Sequence, residues 1–308
     1  MTAILRCILF GIRCCISRPT ESVLLLLRNA QLLFVNTLNS RVRPTDSECR
    51  NGEPSPIGSL IINADDWGRD RENTERIHEC VLHKTVSSVS AMVFMEDSER
   101  AAAISLENGI DAGLHLNFTT TFSAKDCPTS LVGHQRKVAE HLLRHRFGRA
   151  IYHPGLAESF KYVFNHQVEE FRRLYGKFPQ RLDGHHHMHL CANILVAKLL
   201  PTGTIVRRSE SFLASEKGLM NRLYRRMLDK VVSRRHHVAD YFFTLGPLEP
   251  PARLQRIFQL GRQFVVELET HPVNGDEYRF LTSGEVLAQI GNIPIAQRYE
   301  LAEAISGF

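Results

Sequence analysis

The stretch Asp183-Gly184-His185-His186-His187-Met188-His189 places four imidazoles in five positions behind a carboxylate. Imidazole and carboxylate are the groups that hold zinc and related divalent ions. Alone, the run also fits a solvated, His-rich loop. Three other stretches carry related chemistry. Asp65-Asp66-Trp67-Gly68 sets two carboxylates side by side, where like charges raise one pKa unless a cation stabilises both; an Asp-rich turn before a helix is the plain alternative. His115-Leu116-Asn117-Phe118-Thr119 offers one imidazole, of a kind that is commonly structural, followed by polar groups able to face a substrate. Glu269-Thr270-His271-Pro272 adds a carboxylate and an imidazole, with Pro272 fixing where the preceding element stops.

Each stretch follows a segment with strand character. Residues 60–64 form a continuous apolar run expected of a buried parallel strand. Residues 110–117, 178–182 and 263–268 read as strands whose last residues deliver His115, the His-rich run and Glu269 with His271. Between them, 72–84, 98–107, 167–175 and 194–200 read as helices, with further strands at 86–94 and 204–207. This alternation predicts an α/β fold in which parallel strand ends meet on one face. Residues 121–160, punctuated by Pro128, Gly133, Gly148, Pro154 and Gly155, read as a loop region inserted over those ends. Residues 216–237 read as an amphipathic helix with a basic face of Arg222, Arg225, Arg226, Lys230, Arg234 and Arg235, for which solvation is the usual role.

At 308 residues and 43% apolar content, the chain can bury one large core or two smaller ones. The net charge is +5, but residues 1–58 hold seven Arg against four acids, so the other 250 residues carry only +2. A nearly neutral body excludes a nucleic-acid binder. Four of the seven cysteines (Cys7, Cys14, Cys15, Cys49) also fall in residues 1–58, with no paired metal-binding spacing, which suggests reduced thiols and a cytoplasmic setting. The apolar runs 3–12 and 23–35 are interrupted by Arg6 and Arg28, so neither approaches the ~18 residues of a transmembrane helix. An amphipathic segment around Leu24, Leu25, Leu26 and Leu27 could still make peripheral membrane contact. The expected division is a basic, Cys-rich leader and linker over 1–58 and a catalytic domain over 59–308.

If the strand ends meet, one Asp and two His make a three-ligand metal site with open positions, as metal-assisted hydrolysis requires. A second carboxylate can then accept a proton from water, and an imidazole can protonate a leaving amine.

At these residues the chain resembles the YdjC-like carbohydrate deacetylases, the group that includes ChbG and HpnK. The matching stretches are IINADDWG (61–68), GLHLNFT (113–119), DGHHHMH (183–189) and ETHP (269–272), within about residues 59–300. The resemblance implies a distorted (β/α) barrel related to polysaccharide deacetylases, which removes acetyl groups from N-acetylated sugars with one divalent metal ion, Mg2+ or Zn2+. It assigns Asp66, His115 and His185 to the metal, Asp65 to the general base and His271 to the general acid. Asn117, Asp183, His187 and His189 become candidates for substrate binding or for supporting the ligands. Trp67 stands where the family commonly has Phe, and Gly184 where Ser is frequent, departures that bear on pocket shape. A hydrolase of another bond, such as a phosphoester, and a non-catalytic glycan-binding protein are the alternatives. Oligomeric state has no signature in the sequence.

Overall fold

Residues 59–67 combine an apolar run with a polar end, and they form strand β1 (Ser59–Trp67), buried along all but its first residue. The computed structural model describes residues 58–144, 147–212, 218–299 and 301, so the expected leader and linker lie outside the described residues except for Gly58. β1 is joined on one side to β2 (Ser88–Ala91), β3 (Ala112–Leu116), β4 (Arg181–Gly184) and β5 (Ile205–Val206). On its other side lie β7 (Val265–Thr270) and β6 (Tyr241–Thr244), giving the order β5-β4-β3-β2-β1-β7-β6. All six pairings are parallel. The sheet curls until its two edges approach each other. The Val206 amide donates to His237 O (2.9 Å) and the Ser211 amide to Phe242 O (2.7 Å) across the seam between β5 and β6. The result is an incomplete, distorted (β/α) barrel, as expected from the sequence.

Register then fixes which side chains are neighbours. His115 lies directly beside Asp183 on β3 and β4, and Asn63 beside Glu269 on β1 and β7. Parallel strands need crossovers, and the helices supply them: α1 (Arg71–Leu82), α2 (Ser98–Asn108), α3 (Thr129–Arg144), α4 (Ala157–Tyr175), α5 (Ala192–Val196), α6 (Leu219–Val232) and α7 (Pro251–Leu260), with α8 (Gly275–Thr282) and α9 (Glu285–Ile290) after the last strand. The Asp70 carboxylate starts α1 by accepting from the Asn73 amide at 2.8 Å. No helix among the described residues is long and apolar enough to cross a membrane.

Two readings of the sequence need correction. The loop region expected over 121–160 contains α3, whose buried Leu131, Gln135, Val138 and Leu142 follow a helical spacing. Gly133 conceals that pattern, yet a Cβ there would meet nothing within 4 Å, so the glycine sits in a solvent-facing helical turn. The helix expected to begin at 167 begins ten residues earlier, where Phe160, Val163 and Phe164 extend the buried stripe. β6 and α7 also lie in a stretch to which the sequence pattern assigned no element.

Trp67 anchors the end of β1. It is fully buried, and its indole N–H is shared between Ala101 O (3.2 Å) and Ser105 Oγ (3.0 Å) on α2. The indole therefore ties the strand end to its crossover helix. Trp67→Phe is expected to cost about 1–2 kcal/mol, one lost hydrogen bond plus a partly filled void. Urea unfolding should show this as a lower midpoint at unchanged slope.

Candidate active site

In an unbroken strand, adjacent side chains point to opposite faces. Asp65 and Asp66 escape that rule because the β1–β2 register shifts between Ala64 and Trp67, and Asp66 takes a positive φ of 69°. A non-glycine residue in this region costs of order 1 kcal/mol or more and persists where its surroundings over-determine it. The bulge lets both carboxylates enter one site, each only 2% exposed.

Asp66 meets two imidazoles. His115 Nε2 lies 3.5 Å and His185 Nδ1 3.0 Å from its Oδ1. His115 Nδ1 contacts Asp183 Oδ1 at 2.8 Å, which fits an N–H donor there and leaves the Nε2 lone pair pointing at Asp66. Both His115 Nε2 and Asp66 Oδ1 are buried without a hydrogen-bond partner. Buried polar atoms without a hydrogen bond are costly, and a cation bound between them would relieve the cost. The ligand atoms of Asp66, His115 and His185 lie within 4.8 Å of one another. One carboxylate and two imidazoles thus fit a divalent metal ion. Asp183 is the supporting carboxylate: its Oδ2 accepts from Ser90 Oγ at 2.5 Å and faces Arg207 Nη2 at 3.1 Å.

Asp65 has a different partner. Arg207 donates Nη1 to Asp65 Oδ2 (2.6 Å) and Nη2 to Oδ1 (2.7 Å), and Asn63 Nδ2 donates to Oδ1 (2.8 Å). Burial by itself would raise this carboxyl, but the Arg207 fork and the nearby His115 overcome it and hold Asp65 well below the usual carboxylate range. Asp66 is likewise held low against its burial by His185 and His115. The remaining Arg207 contacts go to Glu267 Oε1 (2.7 Å, from Nε) and Glu269 Oε2 (3.3 Å, from Nη1).

On the far side of Asp65 stand Glu269 and His271. Glu269 is pushed well above the ordinary range by burial and by Asp65, with Arg207 opposing. His271 Nδ1 is 3.7 Å from Glu269 Oε1, and its side chain is 37% exposed, so it borders the opening. Glu277 secures this turn, accepting from the His271 amide (2.8 Å) and from Thr270 Oγ1 (2.7 Å). His187 Nε2 lies 3.8 Å from Glu269 Oε2, and its ring meets the edge of Phe242. His189 is fully buried, with Nε2 placed 2.9 Å from Arg207 O; burial lowers its pKa to about 4, so it is a neutral donor to that carbonyl. Asn117 is buried beside the site, but its amide is spent on the turn that follows β3, donating to Thr120 O (2.7 Å) and accepting from the Thr120 amide (2.9 Å).

The fold thus brings Asp65, Asp66, His115, Asp183 and His185 together, with His187 and His271 at the rim and His189 beneath. Sequence reasoning missed Arg207, and with it Glu267, whose second oxygen accepts from the Tyr299 hydroxyl at 2.5 Å. A signal was present: Arg207 is the charged last residue of the strand expected over 204–207, the same kind of position that singled out His115 and Glu269. Arg69, which donates to Asp66 Oδ2 at 2.8 Å from a one-third exposed position, has no such signal.

A family model described as YdjC-like protein matches residues 59–291. Over 162 residues the chain is 29% identical to a chitooligosaccharide deacetylase of Proteus mirabilis, covering 52% of this chain and 62% of that protein. Over 148 residues it is 31% identical to a carbohydrate deacetylase of Mus musculus, covering 45% of each. These matches span only about half the length of the relatives. A solved structure described as a cellobiose-phosphate cleavage protein, from Enterococcus faecalis, superposes with a TM-score of 0.56 at 18% identity, over 79% of this chain and 98% of that one, and so shares the fold.

Arg207→Met tests the charge balance. Without the guanidinium, the largest counterweight to burial is gone, and His115 and the Asn63 amide are left to oppose desolvation, so the folded pKa of Asp65 is expected to rise above the unfolded value of about 4. Such a group favours folding below that value and ceases to do so as pH rises through its folded pKa. The substitution should therefore cost about 3–5 kcal/mol at neutral pH, with the deficit shrinking on acidification toward about pH 4, as read by urea unfolding across that range. Gly184 provides a second test, since a Cβ there would lie 3.0 Å from His189 N and 3.2 Å from its Nδ1. Gly184→Ala is expected to cost about 1–3 kcal/mol by overpacking, seen as a lowered melting midpoint.

Proposed function

Because this chain belongs to the YdjC-like family, we propose that it is a metal-dependent carbohydrate deacetylase, which hydrolyses the acetamide of N-acetylated sugars or oligosaccharides to acetate and a free amino sugar. The observation that carries the reading is the buried cluster of Asp66, His115 and His185, whose ligand atoms lie within 4.8 Å of one another, with a second carboxylate, Asp65, beside it. The names of the relatives, chitooligosaccharide and carbohydrate deacetylase, support the same substrate class.

A divalent ion held by Asp66, His115 and His185 would polarise the amide carbonyl and make water more acidic there. Asp65, kept ionised by the Arg207 fork, accepts the proton of the attacking water. His271 at the rim, held by the backbone contact to Glu277 and flanked by Glu269, donates a proton to the departing nitrogen. Breakage of the C–N bond then leaves acetate and the amine. Asp183 keeps the His115 ring oriented throughout. Two imidazoles and one carboxylate suit zinc and also admit magnesium. The phosphoester alternative depended on the basic helix lining the site; the α6 side chains Asp229 and Arg225 instead meet Arg208, Ser209 and Glu210, beyond the end of β5.

The test is acetate release from a panel of N-acetylated mono- and oligosaccharides by protein stripped of metal and resupplied with zinc, magnesium or nothing. Restored release identifies both metal and sugar. Asp65→Asn should retain bound metal while turnover falls about 10²–10⁴-fold, and His115→Ala should lose both metal and turnover. A metal-replete, active His115→Ala protein would refute the ligand set.

A further inference from the structure

The polarity of α6 is inverted. A surface helix normally turns its apolar stripe to the core, yet of this helix only Val232 is buried. Leu219, Met220, Leu223, Met227 and Val231 are 41–69% exposed. Spaced at three and four residues, 220, 223, 227 and 231 lie on one outward face. The polar residues face the protein instead. Asp229 accepts from Arg208 Nη2 (2.7 Å) and from the Ser209 amide (2.8 Å), and Arg225 Nη2 is 3.7 Å from Glu210.

We propose that the outward face of α6 docks on an anionic lipid surface. Charge selects this occupant. Arg226 and Lys230, four residues apart and exposed, border the apolar face on one side. The one acid of the helix, Asp229, is turned inward and already paired. The outward surface is therefore apolar and cationic with no carboxylate. A second copy of this helix would set cations against cations, whereas anionic headgroups complement them while the leucines and methionines enter the acyl boundary. Long Arg and Lys side chains suit this arrangement, because their stems lie along apolar surface and their heads reach the headgroups. The helix is also tied to the site-bearing end of β5, since Ser209, two residues beyond Arg207, holds Asp229 and donates Oγ to Arg225 O at 3.2 Å. Docking through α6 would hold the catalytic end of the barrel close to the lipid surface. This inference stands independently of the deacetylase reading.

The experiment is co-sedimentation of the full chain with vesicles of phosphatidylcholine alone or mixed with phosphatidylserine. Binding is expected to the mixed vesicles only, and to weaken with salt. Arg226→Glu with Lys230→Glu should lower partitioning roughly thirtyfold or more, at about one order of ten per 1.4 kcal/mol. Leu223→Glu with Met227→Glu should abolish it, while the melting midpoint stays at the wild-type value because both positions are exposed. Absence of wild-type binding to either vesicle would overturn the proposal. So would equal binding by wild type and both α6 variants, which puts the contact elsewhere in the chain. Conversion of a wild-type oligomer to monomers by Leu223→Glu with Met227→Glu, without any change in vesicle binding, would assign the face to a second copy instead.

Discussion

The centre of this barrel depends on one guanidinium. Arg207 is 1% exposed and stands among Asp65, Asp183, Glu267 and Glu269, all within 3.3 Å of its nitrogens. Four carboxyls around one cation leave a surplus of negative charge, and Asp66 adds a fifth. The protein meets the surplus in three ways. Burial and the neighbouring Asp65 push Glu269 well above the ordinary carboxylate range. Glu267 shares its outer oxygen with the Tyr299 hydroxyl and is raised by the same desolvation. The third is at Asp66, which meets Arg69, His115 and His185, and where one carboxylate and two imidazoles fit a cation.

Two adjacent residues of one type consequently differ in chemistry. Asp65 accepts a bidentate fork and an amide, so its resting charge is stabilised and its position rigid. Asp66 has an arginine on Oδ2 and two imidazoles facing Oδ1. The bulge in β1 creates the difference by aiming one carboxylate at β5 and β7 and the other at β3 and the His-rich turn. Environment divides the roles of two like carboxylates, as it does wherever pKa values are pushed apart within one site. In this barrel the separation has a backbone cause, the positive φ of Asp66.

Much of this was legible in the sequence because the informative residues occupy strand ends. A strand running into Asp65-Asp66, another into His115 and a third into Glu269 convey location and chemistry together, and parallel register does the rest. Arg207 was less legible because a lone arginine at a strand end resembles a solvated one; only the curl of the sheet reveals that four acids surround it. α3 was hidden by Gly133, whose helical turn faces solvent and tolerates the missing side chain. β6 was hidden by its length: Tyr241–Thr244 is four residues long, too short for a period to show. The outward stripe of α6 could be read as amphipathic, but not which face the protein would cover, since that is decided by Asp229 and Arg225 finding partners after β5.

The His-rich stretch shows how one sequence run serves several layers. His185 points to Asp66, His186 and His187 adopt left-handed backbone (φ 55° and 57°), and that reversal sends His189 back beneath the strand end. There its ring holds the Arg207 carbonyl, and it fits because Gly184 has no Cβ to occupy the same space. Gly184 admits His189, His189 fixes the backbone of Arg207, and Arg207 holds Asp65 in place and ionised. The absence of a side chain at Gly184 thus acts three contacts away on the candidate base. A pocket can differ from that of its relatives through such a chain of dependence while every reacting group keeps its identity.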